Sequence, residues 1–221
     1  MKNLKLLSAA GFAFALILGC GGKRLAPDSN SQADSNGQAL LYFAVDTSHS
    51  SMVERSLYPK LLLKTMSIAA SRGYHFELDT FTNDRNPQFI DSKLPYARTP
   101  EGARLLRYLQ NVPESKERGT YFAPIFRHAI DLAKAQPKRT IYLIFLTDAG
   151  VDDPDQTIKA VKEASQYANI VRIGFYPVTN RVSTFKTTST MLAPFGNRLY
   201  MGTTNDSFER IEQMLNVPGG E

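Results

Sequence analysis

Cysteine is nearly absent from this 221-residue chain: Cys20 is the only one, so no intrachain disulfide can form and the fold must be held by core packing alone. There is no G-x-S-x-G, no G-x-x-x-x-G-K-[ST] and no G-x-G-x-x-G, which leaves out a nucleophile elbow, a phosphate-cradling loop and a dinucleotide fingerprint. No stripe of Lys and Arg interleaved with aromatics is present, so nucleic acid is not an expected partner. No internal repeat is found, and the longest apolar run, LLSAAGFAFALIL, is too short to span a bilayer. What is there is 43% hydrophobic and 10% aromatic, the composition of a globular protein with one sizeable domain.

The apolar run follows the short positive start MKNLK, which together read as a secretory signal over residues 1–19. It ends in ILGC, which resembles the bacterial lipoprotein box and implies that Cys20 becomes a lipidated N-terminus anchored in a membrane. Removing residues 1–19 takes away Lys2 and Lys5 and lowers the formal net charge from +5 to +3. Residues 20–38, GGKRLAPDSNSQADSNGQ after the cysteine, hold almost nothing apolar and are expected to be a flexible tether. At Gly/Ser-like stiffness its end-to-end distance is about 20–25 Å. Gly21 after the cysteine, with no aspartate there, implies by the same resemblance an outer-membrane destination in a bacterium with two membranes. The expected location is the cell envelope.

From residue 39 onward strand-length apolar runs alternate with segments of helical period. ALLYFAV (39–45), HFELDTF (75–81), TIYLIFL (140–146) and NIVRIGFYPV (169–178) are rich in β-branched and aromatic residues. The third is apolar nearly throughout, which implies burial on both faces. PQFIDS (87–92) is expected as a short antiparallel edge strand. Helices are expected from Pro59 to about Gly73 with Leu62, Met66 and Ala69 or Ala70 on one face, over 100–111 with Leu105, Leu106 and Leu109 inward, and from Pro124 to Ala135. Another is expected after Asp153 as N-cap, with Ile158 and Val161 inward. A last helix is expected with Asp206 and Glu209 spaced as a capping box and Phe208, Ile211 and Leu215 as its apolar stripe. The fold class is therefore α/β: a doubly wound, mostly parallel sheet with helices on both faces, occupying residues 39–216 before a short tail, 217–221.

In such sheets the loops leaving the carboxyl ends of the strands meet at one edge, where ligands bind. Asp46, Ser48 and Ser50 follow the first strand in FAVDTSHSSM, Thr120 follows Gly119 ahead of a helix, and Asp148 follows the buried strand in FLTDAGVDD. Two carboxylates and three hydroxyls are hard oxygen donors, which favour magnesium, manganese or calcium over zinc or copper. Asp46-x-Ser48-x-Ser50, Thr120 and Thr147-Asp148 resemble, in order and spacing, the metal-ion-dependent adhesion site of von Willebrand factor type A domains. The resemblance covers about residues 39–216, and TDAGVDDPDQTIKAVKEAS is similar to the copine and tellurite-resistance subgroup. It implies a divalent cation, Mg2+ first, with Mn2+ or Ca2+ as alternatives. Ser48, Ser50 and Thr120 are its implied direct ligands, and Asp46 and Asp148 hold it directly or through water. An Asp or Glu of a protein partner completes the shell.

Three departures from the family pattern stand out: His49 where glycine is usual, Arg118 for the first of two glycines before Thr120, and Ala149 between Asp148 and Gly150. His49, Arg181 and Lys186 are candidate partner contacts, the last two in TNRVSTFKTTST, which otherwise reads as a polar loop. His75 and His128 read as structural. The expected function is a membrane-anchored, non-enzymatic binding module. The alternatives are a metal-dependent phosphohydrolase, since FAVDT also resembles the nucleophile strand of haloacid-dehalogenase-type phosphatases, or a structural lipoprotein with a vestigial site. The phosphatase pattern needs a second acid two positions after the first, and Ser48 stands there.

Overall fold

A computed structural model describes residues 39–52, 54–93, 100, 104, 107, 108, 119–179 and 181–216. The expected signal, tether and tail, and Leu105, Leu106 and Leu109, lie outside the described residues. Among those described, six strands form one sheet: β1 (Leu40–Asp46), β2 (His75–Phe81), β3 (Arg85–Lys93), β4 (Ile141–Leu146), β5 (Ile170–Val178) and β6 (Leu199–Thr203). Their order is β3-β2-β1-β4-β5-β6. Neighbours are parallel except β2 and β3, so β3 is the antiparallel edge strand the sequence predicts.

Helices among the described residues include α1 (Tyr58–Ala70), α2 (Ala123–Ala135), α3 (Pro154–Ala164), α4 (Val182–Leu192) and α5 (Ser207–Asn216), and residues 100, 104, 107 and 108, within the expected 100–111 helix, are helical as well. Every residue of β1 and β4 is buried, because helices cover both faces. The period-2 alternation of β1 sends Leu40, Tyr42 and Ala44 to the side of α2, α3 and α4, and Leu41, Phe43 and Val45 to the side of α1 and α5. The first side is an aromatic cluster in which Phe145 stacks on Phe175 at 4.3 Å between ring centres, with Phe122 edge-on to both. On the other side Leu62, Met66 and Ala69 of α1 meet Ile211 and Leu215 of α5.

The sheet's strand order has a physical consequence. The chain leaves β1 toward α1 on one face and leaves β4 toward α3 on the other, so a crevice opens between the carboxyl ends of these adjacent strands. Asp46 and Asp148 stand at that point.

Several expectations are corrected. TNRVSTFKTTST is not a loop: most of it is α4, in which six of eleven residues are Ser or Thr. The hydroxyls of Ser189 and Thr190 bond back to the Lys186 carbonyl, and Thr188, Met191 and Leu192 supply the buried face, so packing overrides a polar composition. β6 was also unmarked in the sequence; its five residues LYMGT are mostly half-buried and too short for a pattern. Ile158 is not inward, at 36% exposure; α3 buries Thr157, Ala160, Val161 and Ala164, and Ile158 lies about 100° round the helix from Thr157. Phe208 is likewise 38% exposed, with Met214 taking its place on the stripe. Asp206 turns its carboxylate back to the amide and hydroxyl of Thr203 and forms no capping box with Glu209.

Candidate metal centre

The site is assembled from the ends of β1 and β4 and the segment before α2. Asp46 closes β1 and is fully buried. Its Oδ1 accepts the Ser48 N–H at 2.8 Å, an Asx turn that folds the chain back on itself, and its Oδ2 accepts the Thr147 hydroxyl at 2.8 Å. Burial pushes the Asp46 carboxyl up to about 6 despite these hydrogen bonds, and the neighbouring Asp148 adds to the rise.

The turn brings Ser48 Oγ to 3.1 Å from Ser50 Oγ, and Thr120 Oγ1 donates to Ser48 Oγ at 3.0 Å. A floor holds the loop in place: Ser51 Oγ donates to the Ser48 carbonyl, and the Arg55 guanidinium donates to that carbonyl and to Ser51 Oγ. Ser48 and Thr120 are buried and Ser50 is exposed, so the hydroxyl chain runs from the interior to the surface.

Thr120 is fixed from the far side. Its N–H donates to Asp152 Oδ2 at 2.8 Å, and its carbonyl accepts the Asp152 N–H at 3.0 Å. Gly119 takes φ +108°, and a Cβ there would stand 2.7 Å from Asn83 Oδ1, so only glycine fits. Asp153 holds the N-cap position of α3, as expected, and its carbonyl accepts the Thr157 N–H, but its side chain makes no cap bond to the amides of that helix. Its two oxygens accept the N–H groups of Phe122 and Ala123 and so cap α2. The segment 148–153 thus supplies both a rim carboxylate and the clamp on the Thr120 segment.

After β4, Thr147 Oγ1 accepts the Ala149 N–H and Asp148 Oδ1 accepts the Gly150 N–H. Ala149, one of the departures noted in the sequence, has φ +67°, a left-handed conformation costing a side-chain-bearing residue about 1–2 kcal/mol. Strain of that kind concentrates at functional turns.

Asp46, Ser48, Ser50 and Thr120 are therefore joined by direct or Thr147-anchored hydrogen bonds, and Asp148 is half-buried beside them, felt by Asp46 through its charge. His49 is exposed in the same turn. Burial and the charge of Asp148 push the Glu54 carboxyl up, and the charge of Arg181, which opens α4, acts against that rise. Lys186 lies farther along α4, lining clefts on both its flanks. Cys20 lies outside the described residues. Nothing in the sequence pattern marks Arg55 for its place under the loop, whereas the acidic run DAGVDD carries a signal for Asp152.

No family model and no curated protein matches the sequence. Solved structures do. An aerotolerance-related membrane protein from Bacteroides fragilis is 14% identical over 80% of this chain and 98% of its own, with a TM-score of 0.58. A von Willebrand factor type A protein from Catenulispora acidiphila is 14% identical over 81% of this chain and 42% of its own, with a TM-score of 0.55. The pilus adhesin SpaC from Lactobacillus rhamnosus GG is 11% identical over 82% of this chain and 30% of its own, with a TM-score of 0.60. Together with the sheet order and the antiparallel edge strand, these matches establish that the described part of the chain has the von Willebrand factor type A fold.

Proposed function

We propose that the domain is a binding module whose rim holds a divalent cation, magnesium first, and grips through it a carboxylate of a protein partner. One observation carries this reading: beside the buried Asp46, the Ser48 hydroxyl lies 3.1 Å from that of Ser50 and 3.0 Å from that of Thr120, which comes from a separate segment. The residues fit such an ion. All are hard oxygen donors, and a carboxyl pushed up to about 6 by burial is a group whose ionised form a cation would relieve.

Ser48, Ser50 and Thr120 would ligate directly. Both oxygens of Asp46 already accept hydrogen bonds, which suits a carboxylate that balances charge, directly or through water, alongside Asp148. When bound, the ion supplies an electrophile for an incoming Asp or Glu. His49 and Arg181, on the same rim, would contact the rest of the partner, and Lys186 would extend that surface.

We further place the domain at the cell envelope, lipid-anchored through Cys20. The membrane protein and the pilus adhesin among the fold neighbours support that setting. We read the domain as non-catalytic, because Ser48 stands where a phosphatase of the aspartyl type needs its general acid. Metal-dependent turnover of a chromogenic phosphate ester would overturn that.

Calorimetric titration tests the core of the proposal: Mg2+ or Mn2+ should bind the parent and fail to bind Asp46→Ala. If neither ion binds the parent at millimolar concentration, the mechanism is wrong. Cross-linking to envelope extract with and without chelator then reports whether partner capture depends on the ion.

A further inference from the structure

A second polar cluster lies in the core, on a face the rim does not use. β2 carries Glu77 and Asp79 two residues apart, so both point to the α2 side of an interior strand, where the chain otherwise packs Tyr42, Ala44 and Phe81. Glu77 is 2% exposed and Asp79 not at all. Acids on the inward face of a strand break the hydrophobic pattern and need partners.

Their partners are few. His128 of α2 sets Nε2 2.5 Å from Glu77 Oε1. Tyr42 donates its hydroxyl to Asp79 Oδ2 at 2.6 Å, and the same oxygen accepts from Arg85 at 2.9 Å; Arg85 reaches Glu77 Oε1 only at 3.4 Å. Asp79 Oδ1 is buried with no hydrogen-bond partner. A buried carboxylate oxygen left in that state costs about 1–3 kcal/mol. One guanidinium faces two buried carboxylates, so the cluster is short of fixed positive charge.

The atoms these three residues offer lie within 4.8 Å of one another, one imidazole nitrogen and two carboxylate oxygens. We propose that Glu77, Asp79 and His128 form a second cation site, selective for a zinc-type first-row divalent ion, that pins β2 to α2. Glu77 Oε1, the unpartnered Asp79 Oδ1 and His128 Nε2 are the ligands. Asp79 Oδ2 keeps Tyr42 and Arg85, which orient the carboxylate as outer partners. The side chains of His128 and Arg85 are 21% and 24% exposed, so the cluster reaches solvent, and a water is the proposed fourth ligand. The imidazole sets this site apart from the all-oxygen rim: it favours zinc where the rim favours magnesium.

The test is calorimetry of the full-length, tag-free protein with Zn2+ in excess magnesium. One equivalent of zinc should bind. His128→Gln and Glu77→Gln should each weaken zinc binding roughly tenfold or more, while Asp46→Ala leaves it unchanged. The proposal is overturned if zinc does not bind the parent under excess magnesium, if His128→Gln titrates like the parent, or if Asp46→Ala abolishes the isotherm. Should the cluster variants lose their circular dichroism, a zinc-edge anomalous map of the unaltered protein decides: density between β2 and α2 supports the site, and density only at the rim or nowhere overturns it.

Discussion

Asp46 shows what a buried acid costs before any ion arrives. Its folded-state carboxyl titrates at about 6 against an ordinary 3.8, so the folded protein holds the proton more tightly than the unfolded chain. The stability this contributes is fully present below 3.8 and is lost as pH rises through about 6. In chelator, the parent should therefore lose about 3 kcal/mol across that window from this group. Asp46→Asn should remove that part of the slope, read as the difference between parent and variant urea midpoints at pH 4 and pH 7. Equal differences at the two pH values would show that Asp46 is not the group responsible. Gly119 makes a second residue-scale case. Gly119→Ala forces a Cβ against Asn83 Oδ1 at a φ of +108° and should cost about 1–3 kcal/mol in thermal or urea unfolding. Because Thr120 follows directly, the same variant should also weaken magnesium binding.

At the scale of elements, α2 depends on a cap borrowed from another segment. Asp153 satisfies the first amides of α2 and accepts the Thr157 hydroxyl from α3, so one carboxylate ties the two helices together. Asp153→Ala should cost about 1–2 kcal/mol and lower amide protection at Phe122 and Ala123 in hydrogen exchange. Unchanged exchange at those two amides would contradict the cap. Asp152 clasps the Thr120 backbone in both directions and acts as a positioning residue for the rim, with no ligand role of its own. These contacts explain why the connection after β4 is so acidic: three aspartates share one turn, and each holds something different.

For the whole molecule, stability rests on the aromatic layer under α2, and the proposed rim ion would add to it. Phe145 is fully buried among Phe81, Phe122, Phe126 and Phe175, and Phe145→Ala should cost about 3–5 kcal/mol by leaving a cavity no neighbour can fill. An ion that binds only the folded state adds stability by mass action, about 2.7 kcal/mol at a hundredfold excess over its dissociation constant. Magnesium should therefore raise the melting temperature of the parent and leave that of Asp46→Ala unmoved. A shift of the same size in both would place the ion elsewhere.

The sequence by itself determined the alternation of buried strands and amphipathic helices, and with it the sheet, because continuous apolar runs such as TIYLIFL have only one stable place to go. It also determined the donors at the strand ends, since Asp46, Ser48, Ser50, Thr120 and Asp148 sit where each run stops. Local pattern could not reveal α4, whose hydroxyl-rich composition becomes helical only when Met191 and Leu192 find the core. It misjudged Ile158 and Phe208, because which residues of an amphipathic helix turn inward is set by how the helix is rolled against its neighbours. Nor could it pair Asp153 with α2, Arg55 with the Ser48 carbonyl, or Glu77 with His128 fifty-one positions away. Those contacts span distant parts of the chain, and only the closing of the sheet and the packing of helices on it bring such groups within hydrogen-bond reach.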